Sequence, residues 1–282
     1  MHRFVKQGVL PLVGLLLSAV SVHAQTIASS ARQKDAGSLE ASVYYQGTRD
    51  QELNFAVGGS GGCADRTNTV TYSCESTADI PAEGSGDAMI AKLVYQPYES
   101  VQYYVSAGVG NYALKTASIT VTNTHGGDRP GFLYAAGLKA VIWPESIVTP
   151  AIALDAQLGW QRYYFNDMQP GVGENNAVST AVDERFDIFH TQVALETSRR
   201  FKFKGERLQV EPYGGIKWLR AQAWIKDLRR GGRAGGAQDT ATPFLGVRLP
   251  IFEKEVFFAE ASFINGIQFA AGLNVQFGGK KA

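Results

Sequence analysis

From Ile267 to Phe277 the odd positions read Ile267, Phe269, Ala271, Leu273, Val275 and Phe277, and the even positions read Gln268, Ala270, Gly272, Asn274 and Gln276. Successive side chains of a strand point to opposite faces, so this stretch predicts a strand with one wholly apolar face and one small or polar face. The same dyad pattern recurs in ten segments: 38–47, 89–97, 102–113, 131–142, 150–164, 185–199, 209–225, 240–251, 255–263 and 267–277. Each is long enough to cross a bilayer when tilted, which takes about 9 to 11 residues. The connections alternate in length. Those at Gln96-Pro97-Tyr98-Glu99, Trp143-Pro144-Glu145-Ser146, Phe203-Lys204-Gly205-Glu206 and Phe252-Glu253-Lys254 are short. Those at 48–88, 114–130, 165–184 and 226–239 are long and rich in Gly, Asn, Asp and Thr, while Asn265-Gly266 makes a tight turn. Short turns at one end and long loops at the other suit a closed barrel across a membrane, and a soluble sandwich has no reason to sort its loops this way.

The N-terminus supplies an address. Met1 to Ala24 carries Arg3 and Lys6, an apolar run from Val9 to Leu17, and small residues at Val22 and Ala24, the three-part layout of a secretory leader. The expected organisation is a cleaved signal peptide over 1–24, a short periplasmic segment over 25–37, the barrel over 38–277 and a tail over 278–282. After Ala24 no run of 18 apolar residues occurs, so the remaining way to span lipid with every backbone group satisfied is a closed barrel. Lys plus Arg number 27 against 26 Asp plus Glu, which removes the electrostatic case for a nucleic-acid partner. The fold class is therefore all-β: an antiparallel up-and-down transmembrane barrel of ten strands, with eight as the structural alternative.

The period also assigns faces. Sets such as Tyr103/Val105/Ala107/Val109, Ile152/Leu154/Ala156/Leu158/Trp160 and Phe257/Ala259/Ala261/Phe263 hold no charge and are expected against lipid. The opposite faces carry Glu40, Lys92, Lys139, Asp155, His190, Glu196, Glu211, Lys217, Arg248 and Glu260. Barrels of eight strands are just filled by their own side chains and ten leave little more room, so these mixed charges are expected to pair across the lumen. A selectivity ring would favour one sign at one level. Tyr95, Tyr98, Trp143 and Phe252 on one side, and Trp160, Tyr163, Tyr164, Trp218 and Trp224 on the other, are expected to form two interfacial aromatic girdles.

The chain resembles the small outer-membrane β-barrel superfamily of Gram-negative bacteria, of the OmpA/OmpX kind, and its tail Gly272-Leu273-Asn274-Val275-Gln276-Phe277 resembles that family's C-terminal insertion signal. The resemblance implies that Gly272, Val275 and Phe277 are read by the barrel-assembly machinery. It departs from the pattern because Gly278-Gly279-Lys280-Lys281-Ala282 follows the aromatic residue.

Chemistry is sparse. Cys63 and Cys74 lie in a Gly/Ser/Thr-rich loop and are expected to form a disulfide outside the cytoplasm. His125, in Thr124-His125-Gly126-Gly127-Asp128, suits a loop turn, and Asp187 and His190, three apart on a strand, point to opposite faces. No metal-ligand spacing, phosphate loop or nucleophile elbow accompanies them, so no cofactor, metal or enzymatic activity is expected. Lys226, Arg229, Arg230 and Arg233 could hold lipopolysaccharide phosphates through guanidinium forks. The acidic 48–88 loop is the best candidate for binding an extracellular ligand. The expectation is a monomeric envelope or surface-recognition barrel, with a narrow channel and a rim-site enzyme as alternatives.

Overall fold

The computed structural model of the chain describes residues 26–27, 29–31, 35–58, 62–64, 71–73, 77–117, 122–170, 179–203, 209–229, 233–252, 254–263 and 266–278. These form β1 (Ser38–Gly58), β2 (Gly62–Ala64), β3 (Thr71–Ser73), β4 (Thr77–Tyr98), β5 (Val101–Ala117), β6 (Thr122–Gly126), β7 (Gly131–Trp143), β8 (Ala151–Pro170), β9 (Thr180–Ser198), β10 (Phe201–Lys202), β11 (Gln209–Asp227), β12 (Arg233–Pro250), β13 (Glu255–Ser262) and β14 (Ile267–Phe277). Antiparallel ladders run from β1 through β4, β5, β7, β8, β9, β11, β12 and β13 to β14. β14 then pairs back onto β1 from Leu39↔Phe277 to Arg49↔Ile267, so ten strands close a ring with no free edge. β6 continues the wall above β7, since β5 and β8 pair with both.

Every expected strand is present, but four run far past their expected ends. β1 reaches Gly58 and β4 starts at Thr77, so most of the region read as a 48–88 loop is a tall hairpin; the 114–130, 165–184 and 226–239 regions are likewise largely strand. The physical reason is an exchange of faces. On β5 the outward positions are Val101, Tyr103, Val105, Ala107 and Val109, then Asn111 and Lys115; inward lie Gln102, Tyr104 and Ser106, then Tyr112 and Leu114. On β9 the outward Leu195, Val193 and Phe189 give way to Asp187 and Arg185, as the inward Glu196, Gln192 and His190 give way to Ile188 and Phe186. The strands keep their register while the apolar face moves from outside to inside. Below the exchange the barrel is apolar outside and polar within, as a bilayer requires. Above it, Leu53, Tyr112, Leu114, Tyr163, Phe165, Phe186 and Ile188 form an apolar core with Tyr112 and Tyr163 stacked at 5.0 Å, as in water-soluble β-structure.

The lower zone spans about nine residues per strand, or roughly 23 Å at the usual strand rise and tilt, which matches an apolar band of about 25 Å. Its upper border is a line of outward ion pairs, Arg49–Asp87, Arg162–Asp187 and Arg220–Asp239. Tyr95, Tyr98, Trp143 and Phe252 are exposed near the short turns, as the lower girdle requires. Tyr163 is a correction to the upper one: it is buried inside the barrel, while Trp160 stands outside with the Arg162 guanidinium 4.4 Å over its ring. The β13–β14 hairpin is short, and above it β1 meets β12 directly at Phe55↔Gly236 and Ala56↔Gly235. The wall thus narrows above the membrane. β1 adjusts with a bulge between Thr48 and Gln51 where Asp50 adopts φ 51°.

Candidate functional site

The ten charged and histidine positions assigned to the lumen all lie buried on inward faces, at 0–6% exposure. They do not form isolated pairs. Glu196 on β9 accepts from Lys139 on β7 at 2.6 Å and from Arg248 on β12 at 2.9 Å; Arg248 also reaches Glu211 on β11 at 3.0 Å. Glu211 continues to Arg200 at the periplasmic rim, 3.0 Å away. Glu260 on β13 receives Lys217 and the Tyr213 hydroxyl, the latter at 2.9 Å. Asp155 on β8 accepts from Tyr104 at 2.6 Å, and the Lys92 ammonium sits 3.8 Å above the Tyr104 ring. Several of these contacts skip wall neighbours, β7 to β9 and β9 to β12, and so brace the barrel from within. Glu40 is buried on β1 at the same end. His190 lies higher, against Gly159, where a Cβ would fall 2.1 Å from its Nε2.

The lumen also holds part of the chain itself. Thr26, Ile27, Ser29, Ser30 and Ala31 are inside the barrel at 0–7% exposure, so this part of the segment expected in the periplasm occupies the lumen, whereas Asp35, Ala36 and Gly37 are exposed. The lumen groups bind its main chain. Lys92 donates to the Ile27 carbonyl at 2.7 Å, Lys139 and Arg248 donate to the Ser29 carbonyl at 2.6 and 2.7 Å, and Gln102 donates to the Ser30 carbonyl at 3.1 Å. Ser30 Oγ donates to Glu211 at 2.6 Å, and the Ile27 amide faces both Glu260 oxygens at 3.2 and 3.3 Å. Ile27 packs with Ala194, Tyr213 and Phe244, and Ala31 with Ala151 and Ala153. Every donor and carboxylate here is one that a low-dielectric interior would leave at high cost without a partner. The sequence assigned the charges but missed the ligand. Thr26-Ile27-Ala28-Ser29-Ser30-Ala31 has no charge or period, and its only legible trait is that its side chains are small enough for a narrow lumen.

Other assigned residues fall elsewhere. His125 is not in a turn: it is on β6, its Nδ1 2.7 Å from Glu184 Oε2 and its Nε2 3.4 Å from Thr116 Oγ1, because β6 extends the wall where a loop was expected. Asp187 faces outward, held by Arg162 and Arg185 at 2.6 and 2.8 Å. Lys226, one residue before the end of β11, is in register with Arg185, and Arg229 donates to the Ala181 carbonyl at 3.4 Å; Arg230 and the Arg233 side chain lie outside the described residues. Cys63 is on β2, but its side chain and Cys74 lie outside them too, as do residues 1–25 and 279–282. On β14, Gly272 admits Tyr44, whose Cβ would stand 2.3 Å from an added methyl, while Val275 and Phe277 pair with Ala41 and Leu39. Among the described residues no group of three or more His, Cys, Asp or Glu could hold a metal ion.

No protein-family model and no curated protein matches the chain. Among solved structures it is similar to the outer-membrane protease OmpT from Escherichia coli, with TM-score 0.48 and 8% identity over 85% of this chain and 97% of that one. It is also similar to the translocator domain of the autotransporter NalP from Neisseria meningitidis, with TM-score 0.44 and 11% identity over 95% of each chain. A third is OprG of Pseudomonas aeruginosa, an outer-membrane protein, with TM-score 0.38 and 7% identity over 87% of this chain and 98% of that one. The class is defined by the chain's own geometry: a closed antiparallel ring, an apolar outer band, a polar interior at the same height and aromatic residues at the lower border. It is an integral outer-membrane β-barrel.

Proposed function

We propose that the protein is a sealed barrel that works at the cell surface, using the membrane zone as an anchor and the tall outer half as a rigid platform for recognition. The observation that carries this reading is the double filling of the interior. The lower lumen is occupied by the ionic braces and residues 26–27 and 29–31, and the outer half by the aromatic core around Tyr112, Tyr163, Phe165 and Phe186. Internal cavities beside Thr26 and between Gln46 and Tyr163 measure about 10 Å³ each, room for about one water. Among the described residues this filling speaks against a solute path. It does support a stiff base for the loops above β1–β4, β8–β9 and β11–β12, where binding residues on a scaffold usually lie. One chain closes the ring alone, which supports a monomer. Lys226, Arg229 and the outward Arg162 and Arg185 stand at or above the upper border, a placement that supports contact with lipid phosphates.

Planar-bilayer recording of the purified protein tests the sealed lumen: no steady openings are expected. Steady conductance whose ion preference changes in Lys139→Gln would replace this reading with that of a narrow channel. Replacing 59–76 by a short Gly-Ser turn tests the platform. Adhesion of expressing bacteria to host cells or matrix should fall while the folded barrel persists; unchanged adhesion contradicts the assignment to that loop.

A further inference from the structure

The lipid-facing side of the wall carries a hollow inside the apolar band. One row of paired outward positions crosses six strands: Val43, Ala91, Ala107, Tyr134, Trp160 and Phe189. Ala91 and Ala107 lie at its centre, and Ala41 and Ala136 flank them one row nearer the periplasm. These methyl groups make a floor, and the Tyr134 and Trp160 rings, stacked at 6.3 Å, stand as a wall on one side. The open hollow measures about 760 Å³ and extends about 24 Å across five strand spacings. A cluster of charge stands directly above the ring wall. Arg162 follows Trp160 by two residues, about 7 Å along β8, with its guanidinium 4.4 Å over the Trp160 ring. Asp187 holds Arg162 and Arg185 at 2.6 and 2.8 Å, and Lys226 is in register with Arg185. Three cations to one carboxylate leave this cluster a net positive charge, and Asp183, farther out on β9, has its own partner in Arg129 at 3.9 Å.

We infer that the hollow and the cations above it form one binding site for a phosphorylated, acylated lipid of the outer leaflet. One acyl chain lies along the alanine floor against the Tyr134–Trp160 wall, and the lipid's phosphate sits on Arg162 and Arg185. A hollow left empty forfeits dispersion contacts, so a chain seated in it gains contacts that chains along the smoother wall lack. The lengths agree. One leaflet is about half of the roughly 30 Å hydrocarbon core, so a chain whose head is held at the upper border ends within the hollow. The chemistry of the head follows from the guanidiniums. Asp187 meets both at Nε, and their terminal nitrogens suit the paired oxygens of a phosphate. Trp160 belongs to both halves of the site, to the wall of the hollow and to the seat of Arg162. The inference rests on the lipid-phosphate contact proposed above and adds to it the acyl seat and a stoichiometry of one lipid per barrel.

The test is native mass spectrometry of the purified full chain, released from detergent after incubation with lipid A, a phosphorylated glucosamine lipid with several acyl chains. One lipid A should remain on each barrel. Ala107→Phe fills the floor and should lower retention about tenfold or more. Leu245→Phe, outward on β12 across the barrel, should leave retention unchanged. Arg162→Gln combined with Arg185→Gln should lower it as Ala107→Phe does. Lipid A stripped of its phosphates should be held as weakly by the unaltered protein, a measurement that needs no variant to fold. Phosphate-dependent retention that Ala107→Phe leaves unchanged overturns the acyl seat while the phosphate contact stands. Retention indifferent both to the phosphates and to the two arginines overturns the site and that contact together. Inorganic phosphate at equal concentration should not displace the lipid; displacement overturns the acyl seat. A lipid-free dimer that Ala107→Phe dissociates overturns the proposal in favour of a second copy of the chain. Conductance and adhesion do not enter this readout, so its failure is distinct from failure of the sealed platform.

Discussion

At the scale of single residues the lumen is governed by the cost of stranding a charge. Glu196 is held between Lys139 and Arg248, all three buried inside the barrel. Removing one member of a buried pair costs about 3–5 kcal/mol, whereas replacing both by apolar groups of similar volume is often neutral. Lys139→Met should therefore destabilise the barrel by about that amount, and Lys139→Met with Glu196→Leu should recover a large part of it, as read from urea unfolding in lipid vesicles. Equal destabilisation by the single and double variants would contradict the bracing role. Gly159 makes a second case. A methyl there would strike the imidazole of His190, so Gly159→Ala should cost about 1–3 kcal/mol, and adding His190→Ala should relieve it in the same assay. These residue pairs were legible only in part. Alternation gives each charge its face, but which strand its partner comes from depends on barrel curvature, and the carbonyls of Ile27, Ser29 and Ser30 carry no sequence signal at all.

At the scale of the strand the decisive feature is the exchange of faces near Asp87, Asn111, Arg162 and Asp187. Period-2 alternation revealed the ten membrane segments, because one face meets lipid throughout each. It hid the outer parts of β1, β4, β8 and β12, because the apolar positions change parity there and Gly and Asp dilute the pattern. The 48–88 segment looked like a loop for that reason, although Gly84 and Gly86 lie on β4 against Tyr112, where a Cβ would come within 3 Å of its ring. The exchange predicts a sharp contrast along β5. Val105→Arg, outward in the band, should cost about 2–4 kcal/mol, and Asn111→Arg, outward at its border, about 1 kcal/mol or less, measured by unfolding in vesicles. Above the border the inward side chains become the costly ones. Phe186→Ala should cost about 3–5 kcal/mol and expose the β8–β9 extension to protease while the membrane zone stays intact.

At the scale of the whole molecule, two differently solvated barrels share one set of strands. The lower is stabilised against hydrocarbon and filled with ions and a peptide segment; the upper is stabilised against water and filled with rings. The architecture and strand number followed from pattern because they depend on a repeated physical constraint. The contents of the lumen did not, because they depend on a single stretch of chain returning to a site built from six other strands. The lower wall meets lipid with one face while hiding the other. Nitroxide labels placed one at a time from Tyr103 to Lys115 on β5, in a bilayer, test it most directly through collision with oxygen. High oxygen accessibility is expected at Tyr103, Val105, Ala107 and Val109, low accessibility at Tyr104, Ser106 and Gly108, and a change to water-exposed outward sites from Asn111 onward. Uniform accessibility along the strand, or water contact at Val105 and Ala107, would contradict it.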